Sequence, residues 1–179
     1  MKYYKKWASQ EHSLTARVMA SLLAGSLFAV LIPYCLIVPI PRWDLRLHLP
    51  SLSFDAGNYL IGAVLIGLGV VFAWWSIGAQ LFQARGTPIP MMPTHRLLVG
   101  GAFSRSRNPM AFGAICAYLG ISILVGSLAS VAVVVIFAIL LLTYIKVIEE
   151  KELALRFGQE YLDYKAVTPF FFPRIFRKK

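Results

Sequence analysis

The sequence predicts an all-α polytopic membrane protein with four transmembrane helices, the last two forming a helical hairpin. Three observations predict it. Of the 179 residues, 58% are hydrophobic and only 15% are charged, where a soluble domain of this length carries about 25% charged residues; mean hydropathy is +0.67. The apolar residues are clustered in runs long enough to cross a bilayer rather than spread at amphipathic spacing. The basic residues are distributed to one side. Four of them (Lys2, Lys5, Lys6, Arg17) precede or open the first run, four (Arg85, Arg96, Arg105, Arg107) occupy the long middle loop, and eight follow from Lys146 onward. Only Arg42 and Arg46 are left for the other face. That asymmetry places both termini in the cytoplasm. It also accounts for the net charge of +10 through anionic lipid headgroups, so no nucleic-acid partner is implied.

Taken in order, Met1–His12 is basic and aromatic and reads as an interfacial segment. Arg17 to Val38 is the first span, with Pro33 inside it. A proline there predicts a kink, tolerated where a neighbouring helix satisfies the freed carbonyl. Residues 40–56 alternate apolar Trp43, Leu45, Leu47 and Leu49 with polar Asp44, Arg46 and His48, a period of two that predicts an extended segment along the membrane surface. Asp55 is a candidate cap for the second span, Gly57 to Gln83, whose Gly57, Gly62, Gly67, Gly69 and Gly78 allow close helix packing. Ala84–Arg107 is a proline-stiffened loop of about two dozen residues, a length usually reserved for function. Pro109–Val125 and Leu128–Val147 then form the hairpin, turning at Gly126-Ser127. Each arm is short for a span, which implies local thinning or small tilt. The chain is one integral membrane domain, 1–179, with two spans in 1–82 and a core in 83–173.

The chemistry concentrates in two stretches. Leu97-Leu98-Val99-Gly100-Gly101-Ala102-Phe103-Ser104-Arg105-Ser106-Arg107-Asn108-Pro109-Met110 leads into the third apolar run. Asn108 is a favoured N-cap and Pro109 suits the first helical position. Gly100-Gly101 lets backbone approach a ligand closely. The second stretch, Glu149 to Lys165, follows the fourth run. Because the hairpin returns the chain to its starting side, Arg107 and Asn108 come to the same membrane face as Glu149 and Glu150. Two acids at a helix C-terminus oppose its dipole, which favours a functional reason for them. Phe157, Tyr161 and Tyr164 fall on one helical face, expected to pack. Cys35 and Cys116 lie within apolar runs, and His12, His48 and His95 have no ligand-spaced neighbours, so no metal site is expected.

Both stretches resemble the isoprenylcysteine carboxyl methyltransferase / phospholipid methyltransferase family of integral membrane proteins. The family's Leu-Val-x-x-Gly-Pro-Tyr and Arg-His/Asn-Pro-Met-Tyr blocks look like Leu97 to Gly113. Its Glu-Glu, Leu and Phe-Gly-x-x-Tyr-x-x-Tyr look like Glu149-Glu150, Leu153 and Phe157 to Tyr164. Gly86-Thr87-Pro88-Ile89-Pro90 resembles bacterial members. The resemblance covers roughly residues 83–173 and implies S-adenosylmethionine bound at the cytoplasmic face of a bacterial inner membrane. On that resemblance His95, Arg96, Leu97, Leu98, Gly101, Phe103, Asn108, Pro109, Met110, Ala111 and Glu149 fall at cofactor-contacting positions. Arg107 and Glu150 are the candidate catalytic pair. The cofactor's sulfonium and amino group suit a carboxylate, and its own carboxylate suits Arg107 or a helix N-terminus. Methyl transfer from an activated donor asks mainly for alignment and exclusion of water.

Departures from the family pattern bear on the acceptor. Phe103 and Ala111 stand where tyrosine is usual, and Val167-Thr168-Pro169 replaces Val-Pro-Arg. Ile145 occupies the position at which carboxyl methyltransferases carry an arginine for the substrate carboxylate. The expected acceptor is therefore a membrane-embedded, lipid-like molecule, with an amine slightly favoured over a carboxylate and Glu150 the nearest base. Two readings from other classes are a non-catalytic lipid-binding or assembly protein, which would bind no cofactor, and a nicotinamide-dependent membrane reductase, which would need more phosphate-binding groups than the loop offers. For the topology, reporter fusions after residues 50 and 95 are expected on opposite sides of the membrane; both on one side would end the four-span reading.

Overall fold

The computed structural model describes residues 14–83 and 96–174. The basic aromatic N-terminal segment, the Gly-Pro-rich part of the middle loop and His95 fall outside those residues. Eight α-helices follow in order among the described residues: α1 (Leu14–Ser26), α2 (Ile32–Ile37), α3 (Arg42–Arg46), α4 (Ala56–Gly78), α5 (Pro109–Val125), α6 (Leu128–Tyr144), α7 (Glu150–Phe157) and α8 (Gln159–Val167). No strand occurs among the described residues. Three π-helical turns, Leu27–Leu31, Ala79–Gln83 and Ile145–Glu149, adjoin these helices, and a 3₁₀ turn spans Gly101–Ser104. Leu27–Arg46, Ala56–Gln83 and Leu128–Phe157 are long and apolar enough to cross a membrane, and Pro109–Val125 is a shorter apolar helix. With Leu23, Leu60, Trp74 and Leu140 among the large apolar side chains turned outward, this is an integral membrane protein: such faces are stable against lipid and costly against water.

The shortest of the four apolar helices is the central one. Helix α5 packs on α4, α2 and α6. Its closest partner is α4, and the approach depends on paired glycines. A Cβ on Gly69 would lie 2.5 Å from the Gly113 carbonyl oxygen, and one on Gly113 would lie 2.7 Å from that of Gly69. Gly62 and Gly120 repeat the arrangement at 2.9 and 2.8 Å. The two pairs are seven residues apart on each helix, two turns, and run antiparallel, so backbone meets backbone along one seam. Of the other glycines read from the sequence, Gly67 and Gly78 face open space, and Gly57 faces only its own neighbour Phe54.

On its other side α5 contributes Tyr118 to a buried cluster with Leu36 and Val134, and the Tyr118 ring meets Phe137 edge-on at 6.0 Å. The Tyr118 hydroxyl donates to the Phe28 carbonyl at 2.8 Å. Within the π-helical turn, bonds run from a residue to the fifth before it, as Ile32 N–H to Leu27 O does. Pro33 has no N–H to give Phe28, so the neighbouring helix satisfies the freed carbonyl, as the sequence predicts for a proline in a span. The Ser130 hydroxyl likewise donates to the Leu36 carbonyl at 2.9 Å.

The first loop differs from its expected extended form. Arg42–Arg46 is a short helix, with the Arg46 guanidinium 5.6 Å above the Trp43 ring three residues back, a spacing that a helical turn provides. Its acid is spent inward, Asp44 Oδ1 accepting the Ala129 amide at 2.8 Å at the start of α6, while Arg42 and Arg46 are exposed. Asp55 makes no capping bond. Asn58 ties this end together instead, accepting from Phe54 N and donating to the Leu52 and Ile123 carbonyls at 2.8 and 2.7 Å. The Gly126-Ser127 turn is as expected, Gly126 in the left-handed region at φ 72° and Ser127 accepting from Ser130 N.

The hairpin's second arm is longer than its apolar run. From Leu128 the chain stays helical through the π-helical turn to Phe157, so Glu149 and Glu150 do not sit at a helix C-terminus and the dipole argument against them does not apply. In the turn the inward phase is carried across five residues, and both Ile145 and Glu150 are buried while residues 146–149 are exposed. The glycine seam yields a direct test. Gly69→Leu is expected to lower stability by about 1–3 kcal/mol or more, as overpacking does, whereas Gly67→Leu stays within about 0.5 kcal/mol; thermal unfolding of both in one detergent compares them.

Candidate functional site

The stretch before α5 and the chain after α6 meet at one end of the helices. Gly101, at φ +59°, opens the 3₁₀ turn, and a Cβ there would lie 3.2 Å from the Trp75 indole nitrogen of α4. A glycine therefore both permits this backbone and lets the loop lie against the tryptophan. Beyond the turn, residues 105–108 run alongside 169–174. Arg107 N–H donates to Pro169 O and Arg174 N–H to Arg105 O, each at 2.8 Å. The fully buried Ser106 hydroxyl donates to Phe171 O at 2.8 Å and accepts the Asn108 amide at 3.1 Å.

Asn108 precedes α5, and Pro109 begins it, but the Asn108 side chain does not cap the helix. Its amide donates instead to Phe170 O at 2.9 Å. A carbonyl supplied by the chain's far end turned the side chain away from the helix it precedes.

At the centre of the site is a buried ion cluster. Glu150 Oε1 lies 2.9 Å from Arg107 Nη2, and Oε2 lies 2.7 Å from Lys165 Nζ. The Glu150 and Arg107 side chains are 5% and 11% exposed, and Lys165 is 41% exposed. Arg107 Nη1 also donates to the Lys165 carbonyl at 2.9 Å, and its guanidinium stands 5.6 Å from the Phe170 ring centre. The Arg107–Glu150 approach is close but off line for a hydrogen bond: Glu150 Oε1 and Arg107 Nε are buried without a hydrogen-bond partner among the described residues.

Two tyrosines of α8 close the cluster. Tyr161 is 2% exposed. Burial, chiefly, pushes its hydroxyl up to about 12, with the Glu150 carboxylate adding to the rise and Arg107 opposing it. The buried Tyr164 hydroxyl is also held above its ordinary range, again chiefly by burial, and donates to Phe103 O at 2.6 Å. Both are neutral donors at physiological pH. Phe157 does not share their face, because Gly158, at φ +56°, ends α7 between them.

Among the residues singled out in the sequence, Arg107 and Glu150 meet directly, and Asn108 and Phe103 are tied to the same tail and helix. Leu97, Leu98, Met110 and Ala111 are half-buried, Pro109 is buried and Arg96 is exposed. Glu149 is exposed, on the outer side of the π-helical turn, and takes no part in the ion cluster. His95 lies outside the described residues. Lys165, Tyr161, Tyr164 and Ser106 join the site without being marked for it by the sequence. The tyrosine spacing is visible there, but the partner of Tyr164 is roughly sixty positions away and no local pattern names it.

Two concavities lie elsewhere. One of about 590 Å³, lined by Leu23, Ser26, Leu27, Val30, Leu31 and Tyr34, is on the first span. Another of about 290 Å³ lies beside residues 51–55 and Gly126, at the opposite end of α5. The buried charges, and not these hollows, mark the candidate site.

A family model described as phospholipid methyltransferase matches residues 58–160, more than half of the chain. No curated protein and no solved structure matches it significantly. The ion cluster itself is open to measurement. Glu150→Ala leaves Arg107 buried without its countercharge and is expected to cost about 3–5 kcal/mol, and a paired Arg107→Met/Glu150→Leu variant recovers most of that. Unfolding of the single and double variants gives the coupling.

Proposed function

Because the chain belongs to the phospholipid methyltransferase family, we propose that it transfers the methyl group of S-adenosylmethionine to a lipid-like acceptor at the cytoplasmic membrane face. The chain crosses a bacterial inner membrane four times in this reading, with both termini inside. The observation that carries it is the Arg107–Glu150 pair, which joins the loop before α5 to the long helix just past its π-helical turn, both within the residues that match the family. A buried ion pair whose guanidinium Nε and carboxylate Oε1 lack hydrogen-bond partners fits a site that a polar ligand completes.

The residues suit the proposed cofactor. Glu149, outside the ion cluster, offers a carboxylate to a cationic group. Arg107 and the first-turn amides of α5, at Met110 and Ala111, offer donors to a carboxylate. The half-buried Leu97, Leu98 and Phe103 provide apolar surface, with Gly101 allowing close approach and Asn108 and Pro109 fixing the start of α5; His95 and Arg96 complete the set. When bound, the cofactor supplies an already activated methyl group. The protein's own part is alignment and exclusion of water, to which the α8 tyrosines and the 169–174 segment contribute by fixing the loop.

Glu150 has both oxygens facing cations. To accept a proton from an amine acceptor it must exchange one of those cations, and Lys165, the more exposed, is the one placed to leave. Ile145, buried on the same face, puts no cation on the membrane side of Glu150, which supports an amine or similar lipid nucleophile over a carboxylate. Calorimetric titration should show S-adenosylmethionine binding that Glu149→Gln weakens by about 1.5–3 kcal/mol. With labelled cofactor, label is expected in membrane lipid extract. Base-labile ester on a prenylated cysteine analogue, with none in the lipid, would overturn the acceptor class.

A further inference from the structure

The family match ends at residue 160, two residues into α8, and the far end of that helix holds both halves of the site. Lys165 reaches Arg107 through its carbonyl oxygen, at 2.9 Å from Nη1, and Glu150 through its ammonium, at 2.7 Å from Oε2. No other described residue is shown bonded to both. Tyr161 and Tyr164 lie four and one positions before it, and Tyr164 donates to Phe103 O.

We infer that Lys165 is a positioning residue of the site, acting through Glu150 and Arg107. A carboxylate on a flexible stem needs a second contact to fix its plane. With Oε2 on Lys165, Oε1 is turned toward Arg107, and the guanidinium is held in turn by the Lys165 carbonyl. The cluster contains two cations and one carboxylate, so the charge of Lys165 exceeds what neutralising Arg107–Glu150 requires. Neither is Lys165 needed to bury the pair, since it is the exposed member at 41%. Its loss leaves Glu150 paired with Arg107, so the cost of an unpaired buried charge does not arise. Its place is explained by where it holds the carboxylate. The inference rests on the methyltransferase reading for its consequence in binding, and on geometry alone for its consequence in the loop.

The test uses the full-length protein in one detergent, as wild type, Lys165→Met, Lys165→Arg and, as a surface control, Lys151→Met. Melting temperatures should be nearly the same in all four. Titrated with S-adenosylmethionine, Lys165→Met should bind about tenfold more weakly, the size of one charge-assisted contact, while Lys165→Arg and Lys151→Met stay within about twofold of wild type. Amide hydrogen exchange is followed in parallel without cofactor: Lys165→Met should speed exchange at residues 104–108 and leave the α4 and α5 amides unchanged. Wild-type binding with an unaltered Lys165→Met constant, or a loss that Lys165→Arg does not rescue, overturns the positioning role. Absence of any wild-type binding sinks the methyltransferase reading instead. The exchange data then decide the inference alone, and unchanged protection at 104–108 would end it.

Discussion

The close approach of α4 and α5 is the interaction on which the rest of this molecule depends. Lipid offers no hydrophobic force to push two helices together, so contact must come from packing, and packing is best where side chains are absent. Gly62 against Gly120 and Gly69 against Gly113 remove them at matching heights. This holds α5 in the middle, with α2 and α6 on its remaining sides, and fixes where its N-terminus emerges. Arg107 and Asn108 precede that N-terminus directly, so their position is set by a seam of glycines well inside the apolar part of the molecule.

A second constraint shapes the remainder: within hydrocarbon, each backbone polar group must find a partner in the protein. Several irregularities here are matched by a side chain brought from another element. Tyr118 serves the carbonyl freed by Pro33, Ser130 serves Leu36, and Asn58 serves Leu52 and Ile123. The same accounting continues outside the apolar zone, where the Ser106 hydroxyl, the Arg107 backbone N–H and the Asn108 side-chain amide are satisfied by carbonyls of the 169–171 segment. The site loop keeps its shape because these donors are engaged, with few regular hydrogen bonds of its own.

The sequence made the local features plain. The Asn-Pro step and the Gly-Ser turn mark the bounds of α5 and the start of α6, since local turn and cap chemistry decides them. The hairpin also brought Arg107 and Glu150 to one face, where they meet. What it did not make plain was non-local or depended on phase. Asn108 looks like a cap until Phe170 competes for its amide. Alternation in 42–49 suggested an extended strip, but Asp44 is drawn to α6 and the segment winds into a turn of helix. Five glycines looked alike in the second span, and only the partner helix distinguishes the two that touch it. The role of Lys165 was invisible because both its partners lie outside its own helix.

The π-helical turn at Ile145–Glu149 has a consequence for how the length of this chain can vary. It is an α-helix with one residue more than its phase requires, and everything after it is oriented by that surplus. Wound as a regular α-helix, the five-residue step from Ile145 to Glu150 would turn by about 500° and set the two about 140° apart, with Glu150 turned away from Arg107. The wider turn brings both to the buried side. Removing one residue within the turn would leave Ile145 and the carboxylate at i and i+4, still on one face. Removing one from the regular helix beyond it would instead rotate Gly158, α8 and the returning tail by about 100°. The membrane anchor and the polar end of the molecule are thus coupled by a residue count, like a screw whose thread sets where its head stops, and this turn is a place on the thread with a residue to spare.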